Sequence, residues 1–245
     1  MAVIQVEENW TQKPVDRRIF GNFIESGFGR QVNGMWSEML YNRAFRDVPA
    51  IKIATWEWLG LDKEHYNSEA PFWHSGYEEN DWQLIGAPER SHTCGTHTHK
   101  GTTSLLLENR DGGECGLKQE GLHLKKGKKY RFRLFAGIRG DMSEAGLNGF
   151  GDTIHTEEEE KLTVKIGKQQ TCFSLTSVPR LYEWEWEARE DEITDIRITF
   201  TFRGTLVLAF ASLMPDDNLG GWRADVVEKL KEASPSVVRF PGGCF

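Results

Sequence analysis

The sequence predicts a mostly β protein: an antiparallel sandwich or jelly roll inserted between the first strand of a β/α unit and the helix that follows it. Three observations predict this. From about Ile51 to Leu213, many short strand-like segments are separated by turns, with no helical periodicity between them. Phe20–Glu25 and Val237–Phe240 are instead compact apolar runs, suited to burial on both faces of a parallel sheet. Before the second run, Trp222, Val226, Val227, Leu230 and Ala233 form an apolar stripe at helical spacing.

The elements follow in order. Val3–Val6 alternates and reads as a short strand, and Phe20–Ile24 reads as a second, with Glu25 at its end. After Gly27, Gly29 and Gly34, the spacing of Met35, Met39 and Leu40 predicts a short helix or turn over 35–45. Strands are expected at Leu105–Leu107, Leu117–Leu124, Tyr130–Ile138, Leu162–Ile166, Cys172–Leu175, Leu181–Trp186, Ile193–Phe202 and Leu206–Leu213. Tyr130, Phe132, Leu134 and Ala136 alternate with Arg131, Arg133 and Phe135, and Trp184 and Trp186 with Glu183, Glu185 and Glu187. Lys126-Gly127-Lys128 supplies a turn, and Glu157–Glu160 reads as a solvated loop. Pro235 stops the helix that starts near Trp222, and Val237–Phe240 follows as a strand. The two parallel-type strands, Phe20–Ile24 and Val237–Phe240, are expected to lie side by side.

Composition narrows the function. The 245 residues are 38% hydrophobic and 27% charged, as in a folded domain rather than a disordered chain. Thirty basic against 37 acidic residues give a net charge of −7, which argues against nucleic acid as a partner. No apolar run approaches the roughly 18 residues of a membrane span, so no membrane partner is expected. The first residues lack a basic and then apolar leader, and the four cysteines lie far apart without a C-x-x-C pair. Reduced thiols and a cytoplasmic location are the expectation. His92, Cys94, His97 and His99 are possible zinc ligands, but their spacing fits no finger or metalloprotease. They read as a polar loop leading into a strand at Thr102; no metal or cofactor is expected. Nine tryptophans, among them Trp56, Trp58, Trp73, Trp82, Trp184 and Trp186, could include a sugar-stacking platform or could pack the sheets.

Two stretches carry a resemblance. Phe20-Gly21-Asn22-Phe23-Ile24-Glu25 followed by Gly34-Met35-Trp36-Ser37-Glu38-Met39-Leu40-Tyr41-Asn42-Arg43-Ala44-Phe45 resembles the start of the barrel in α-L-arabinofuranosidases of glycoside hydrolase family fifty-one. Arg223–Leu230 and Val238-Arg239-Phe240-Pro241-Gly242-Gly243-Cys244-Phe245 resemble the next helix and strand of that barrel. The middle is similar to a jelly-roll carbohydrate-binding module, best at Gly121–Phe132. The resemblance implies three parts: residues 1–49 as barrel opening, 50–213 as inserted sandwich, and 214–245 as the barrel's helix and second strand, in an incomplete (β/α)8 barrel. It implies a retaining enzyme that releases terminal α-L-arabinofuranosyl groups from arabinan or arabinoxylan. Relatives that cleave β-1,4-glucans or xylans, and a non-catalytic carbohydrate-binding or scaffold protein, are the alternatives.

Such an enzyme needs two carboxyl groups about 5–5.5 Å apart. In the family both lie on later strands, so the acid/base and nucleophile are expected beyond Phe245, and this chain alone is expected to be inactive. The resemblance makes Glu25, Arg239 and Cys244 substrate-binding residues. Glu25 would hydrogen-bond the arabinose hydroxyls, or else form a salt bridge within the barrel. Arg239 would hold the nucleophile ionised, or else serve a structural ion pair. Cys244, after two glycines, would touch the sugar, or else be a small buried thiol. The implied partners are an arabinose-containing polysaccharide or oligosaccharide and the remainder of the barrel; an oligomer is compatible with the resemblance. Two departures stand out. Val207–Ser212 offers no carboxylate where related modules hold calcium, and Asn22 stands where many relatives carry His.

Overall fold

The computed structural model describes residues 15–24, 34–45, 82–86, 90–95, 103–139 and 159–240. Its strands are β1 (Asn22–Phe23), β2 (Gln83–Ile85), β3 (Arg90–Gly95), β4 (Thr103–Asn109), β5 (Cys115–Leu124), β6 (Lys129–Arg139), β7 (Glu160–Ile166), β8 (Gln169–Leu175), β9 (Arg180–Glu187), β10 (Glu192–Phe200), β11 (Gly204–Pro215) and β12 (Val238–Arg239). The α-helix α1 (Ala224–Ala233) precedes β12, and Gly34 and Met35 are helical as well. Two five-stranded antiparallel sheets, ordered β2-β5-β10-β7-β8 and β3-β4-β11-β6-β9, face each other. A separate two-stranded sheet pairs β1 with β12 in parallel.

Alternation builds the sandwich. On β6, Tyr130, Phe132, Leu134 and Ala136 are buried, while Arg131 and Arg133 point out and pair across to Glu185 and Glu183 of β9 at 2.5 and 3.0 Å. Leu117 of β5, Leu162, Val164 and Ile166 of β7, and Ile196 and Ile198 of β10 meet them from the opposite sheet in one core. Gly127 turns the chain between β5 and β6 at φ +75°.

Residues 34–45 are bound into this sandwich. Gly34 and Met35 are helical, Trp36–Met39 run as an extended strap, and Asn42–Phe45 forms a turn, closed by the Phe45 N–H on the Asn42 carbonyl at 2.9 Å. The reason lies in β11. Its pairing with β4 stops at Leu208, while its pairing with β6 continues to Pro215. The unpaired half-edge must find partners, because buried backbone groups left alone are costly. The Met39 N–H bonds the Leu213 carbonyl at 2.9 Å, and the Ala211 N–H bonds the Arg43 carbonyl at 2.8 Å. Gln119 of β5 exchanges two hydrogen bonds with the Tyr41 backbone, at 2.8 and 2.9 Å. Leu40 and Phe45 enter the core, where the Phe45 ring lies 5.1 Å from that of Trp82. The core of the sandwich therefore draws on residues before Ile51.

Several expectations are corrected. The strand predicted over Phe20–Ile24 is only Asn22–Phe23, because Arg17–Phe20 forms a 3-10 turn capped by Asp16, whose carboxylate accepts the Arg18 N–H at 3.0 Å. The parallel strands are not buried on both faces: Val237, Val238 and Phe240 are 44–53% exposed. Arg90–Gly95, expected as a polar loop, pairs with β4 from Arg90–Glu108 to Gly95–Thr103, since backbone pairing does not require apolar side chains. β10 ends at Phe200 rather than Phe202. The helix starts at Ala224, after Trp222 has joined Trp36 and Leu219 in extended bridges. Ser234, left-handed at φ 45°, ends it by turning its N–H onto the Leu230 and Lys231 carbonyls. The Val3–Val6 segment lies outside the described residues.

Candidate functional site at the ends of the parallel strands

The parallel pair sets the site. The Asn22 N–H bonds the Val237 carbonyl at 2.8 Å, the Ile24 N–H bonds the Arg239 carbonyl at 2.9 Å, and Phe23 stands opposite Arg239. The Ser236 hydroxyl bonds the Arg17 carbonyl, fixing the entry side. Gly21 explains itself here. A Cβ on it would fall 2.4 Å from Val237 Cγ1 and 3.1 Å from the Val237 carbonyl. The glycine in this motif is thus needed for the close approach of the two strands.

Because the strands are parallel, both leave the described region at one end of the sheet. That end is also where α1 begins: Trp222, two residues before the helix, meets Phe240 edge-on at 6.3 Å and Trp36 at 6.2 Å. Arg239 is exposed on β12. Glu25 follows Ile24 directly, yet it lies outside the described residues, as does Cys244. Of the three residues named from the sequence, the structure therefore describes Arg239 alone.

The tryptophans divide. Trp82 is buried, and its indole N–H bonds the Asn42 carbonyl at 3.1 Å. Trp184 and Trp186 stack on each other at 4.3 Å, and Trp186 also stacks on Tyr130 at 5.7 Å. Both half-buried rings pack against the core and against aromatic neighbours, so sheet packing accounts for this pair. Trp56, Trp58 and Trp73 lie outside the described residues, as do His97 and His99. Among the described residues no group of three or more His, Cys, Asp or Glu side chains could hold a metal ion.

Sequence reasoning missed Glu38. Its Oε1 accepts the Leu213 N–H at 2.7 Å and the Leu40 N–H at 3.2 Å, tying the strap to β11. Its Oε2 is buried without a hydrogen-bond partner, 3.8 Å from Arg43 Nη1. Burial raises its carboxyl above the ordinary glutamate value, against the lowering effects of the Leu213 N–H, Ser212, the Leu40 N–H and Arg43. The available signal was a lone acid inside the apolar run Met35–Leu40.

The fold defines a composite protein: a β-sandwich carried inside a parallel β/α unit. No family model matches the chain. Over its whole length it is 23% identical, across 262 aligned residues, to alpha-L-arabinofuranosidase 1 of Arabidopsis thaliana, of which it covers 34%. Over 94% of its length it is 22% identical to an extracellular exo-alpha-L-arabinofuranosidase of Streptomyces chartreusis, of which it covers 24%. The chain is thus similar along its length to alpha-L-arabinofuranosidases and spans about a third, or less, of the length of those it matches. Among solved structures, the CBM22-1–GH10 modules of a Clostridium thermocellum endo-1,4-beta-D-xylanase overlap 56% of the chain, with TM-score 0.37 and 14% identity, over 26% of their own length. The N-terminal cellulose-binding domain of Cellulomonas fimi beta-1,4-glucanase C overlaps 56% of the chain and 90% of itself, with TM-score 0.36 and 17% identity. The sandwich itself rests on its own strand pairings, not on these overlaps.

Proposed function

We propose that the chain is the opening portion of a retaining glycosidase that releases terminal α-L-arabinofuranosyl groups from arabinan- or arabinoxylan-type glycans. The observation that carries this reading is the parallel register of Phe23 with Arg239, joined to whole-length similarity to arabinofuranosidases. Strands brought together with their carboxyl ends on one side are what a β/α barrel needs at its active end. In this reading residues 1–49 and 214–245 belong to the barrel and 50–213 to the sandwich, with Met39–Phe45 of the first part packed into the sandwich core. Glu25 and Cys244 contact the sugar, and Arg239 keeps a neighbouring carboxylate ionised by offering it a guanidinium fork. The acid/base and the nucleophile are supplied by the remaining length of the barrel. The exposed Val237, Val238 and Phe240 fit the same account, as a face that further barrel elements would cover.

The test is release of nitrophenol from the α-L-arabinofuranoside. The chain alone should give none, and the chain joined to the remaining barrel should turn over. In that longer protein Glu25→Ala should lower kcat/KM, because sugar hydrogen bonds that position the transition state are lost. Turnover by the purified 245-residue chain would overturn the placement of the catalytic pair.

A further inference from the structure

We propose that Glu38 is a proton-sensitive latch at the joint between the sandwich and the parallel β/α unit, closed while its carboxyl is neutral and loosened when it ionises. The strap that carries it is bound on both sides. Toward the sandwich it bonds β11 through Met39, Arg43 and Glu38 itself. Toward the β/α unit the Ser37 N–H bonds the Gly221 carbonyl at 2.8 Å, and the Arg223 N–H bonds the Met35 carbonyl at 2.8 Å. Arg223 Nη1 adds a bond to the Gly34 carbonyl at 3.2 Å. Glu38 lies between these two sets of contacts, so whatever displaces its carboxyl loosens the attachment of one unit to the other.

Its surroundings favour the neutral form. Oε1 is satisfied by two backbone N–H groups and the Ser212 hydroxyl also supports the carboxyl, but Oε2 is buried with no hydrogen bond within normal geometry, and the adjacent Ser37 hydroxyl is likewise buried without a partner. A carboxylate placed there would hold half its charge on an unsolvated oxygen. Arg43 offers a positive charge at 3.8 Å, but its side chain is 45% exposed, so water screens the attraction. From β11 the neighbours are the Ser212 hydroxyl and the Leu213 N–H, neither of which titrates in the accessible range. On β6, the register partners of Ser212 and Met214 are Arg133 and Arg131, each already paired with a glutamate of β9. The upward displacement of the Glu38 carboxyl by burial agrees with this geometry.

The sign follows from linkage. A carboxyl whose value is raised in the closed joint stabilises closure below its value in the open joint. That support is lost as pH rises through the higher, closed-joint value. Between the two midpoints, the closed-to-open ratio falls about tenfold per pH unit. The test is NMR on the whole chain, following the Glu38 side-chain carboxyl carbon and the amide protection of Leu40 and Leu213, each amide corrected for its intrinsic exchange rate. The carboxyl should titrate above the ordinary glutamate range, and the two amides should lose protection over that interval. In Glu38→Gln, which keeps the acceptor but cannot ionise, protection should be independent of pH. An ordinary or lower midpoint, flat protection in the unaltered chain, or an unchanged dependence in Glu38→Gln would overturn the proposal. Should Glu38→Gln fail to fold, Arg43→Ala decides: removing the positive charge 3.8 Å from the carboxyl must move the midpoint upward, and an unmoved midpoint refutes the latch.

Discussion

Phe45→Ala tests whether the strap is part of the sandwich or a mere connection to it. Phe45 is 0% exposed, and its ring packs at 5.1 Å and 43° on Trp82, which is equally buried. Truncating a fully buried phenylalanine costs about 3–5 kcal/mol, the sum of lost transfer energy and the cavity left behind. The tilted aromatic contact with Trp82 accounts for about 0.5–1.5 kcal/mol of that interaction. Since a chain of this size shifts by about 2–4 °C per kcal/mol, the melting temperature should fall by roughly 6–20 °C. The assay is thermal and urea denaturation followed by near-ultraviolet circular dichroism, where the buried Trp82 should report. The urea midpoint should drop with the slope unchanged, as expected when native stability alone is altered. A connecting turn would behave as a surface site, with a change within about 0.5 kcal/mol. A loss below about 1 kcal/mol would refute the claim that residues before Ile51 complete this core.

Gly21→Ala should loosen the parallel pair by about 1–3 kcal/mol, because the new Cβ meets backbone oxygens as well as Val237 Cγ1. Amide exchange should quicken at Asn22 and Ile24 and stay unchanged at Val164; unaltered protection at Asn22 would contradict the packing argument. The cysteines should separate by reactivity. Cys172 is exposed, whereas Cys115 is buried and its thiol is pushed up to about 11 by burial and then by Asp111. At pH 8, maleimide labelling read by peptide mass spectrometry should modify Cys172 well before Cys115, and equal rates would count against the burial. Because the Cys115 value is raised in the folded state, its contribution to stability is whole below about pH 8.5 and is lost as pH climbs toward about 11.

The sandwich was legible wherever one face is wet and one dry. Arg131 and Arg133 between Phe132 and Leu134, or Glu185 between Trp184 and Trp186, announce strand and face together. The pairing of β1 with β12 was legible from apolar character and from family resemblance, despite their separation in sequence. What escaped is held by backbone bonds and single side chains. β3 has no apolar alternation because only its ladder to β4 defines it. The strap follows an unpaired edge of β11, a demand set by another part of the chain, so of the helix or turn read from its spacing only the helical Gly34–Met35 and the Asn42–Phe45 turn form, with an extended stretch between them. Arg17–Phe20 follows from one carboxylate, that of Asp16, and takes Phe20 out of the strand expected over Phe20–Ile24. For the site, the sequence named Glu25, Arg239 and Cys244 by resemblance, and the structure describes the strand register that relates the first two segments.

The joint at Ser37 and Gly221 also bears on the order in which the chain assembles. β1 is made early and its partner late: the hydrogen-bonded Ser236 and Arg17 beside the pair are 219 residues apart. In an unstructured chain so distant a closure is entropically costly and slow. Once the sandwich has formed, Ser37 and Gly221 are already joined at 2.8 Å. Only two short legs of about 30 residues in total then remain to be closed. By loop-closure scaling, that shortening saves roughly 1.5–2 kcal/mol. The inserted module thus behaves as a clasp during synthesis: β1 waits, unpaired, until the sandwich behind it has folded and brought β12 within reach.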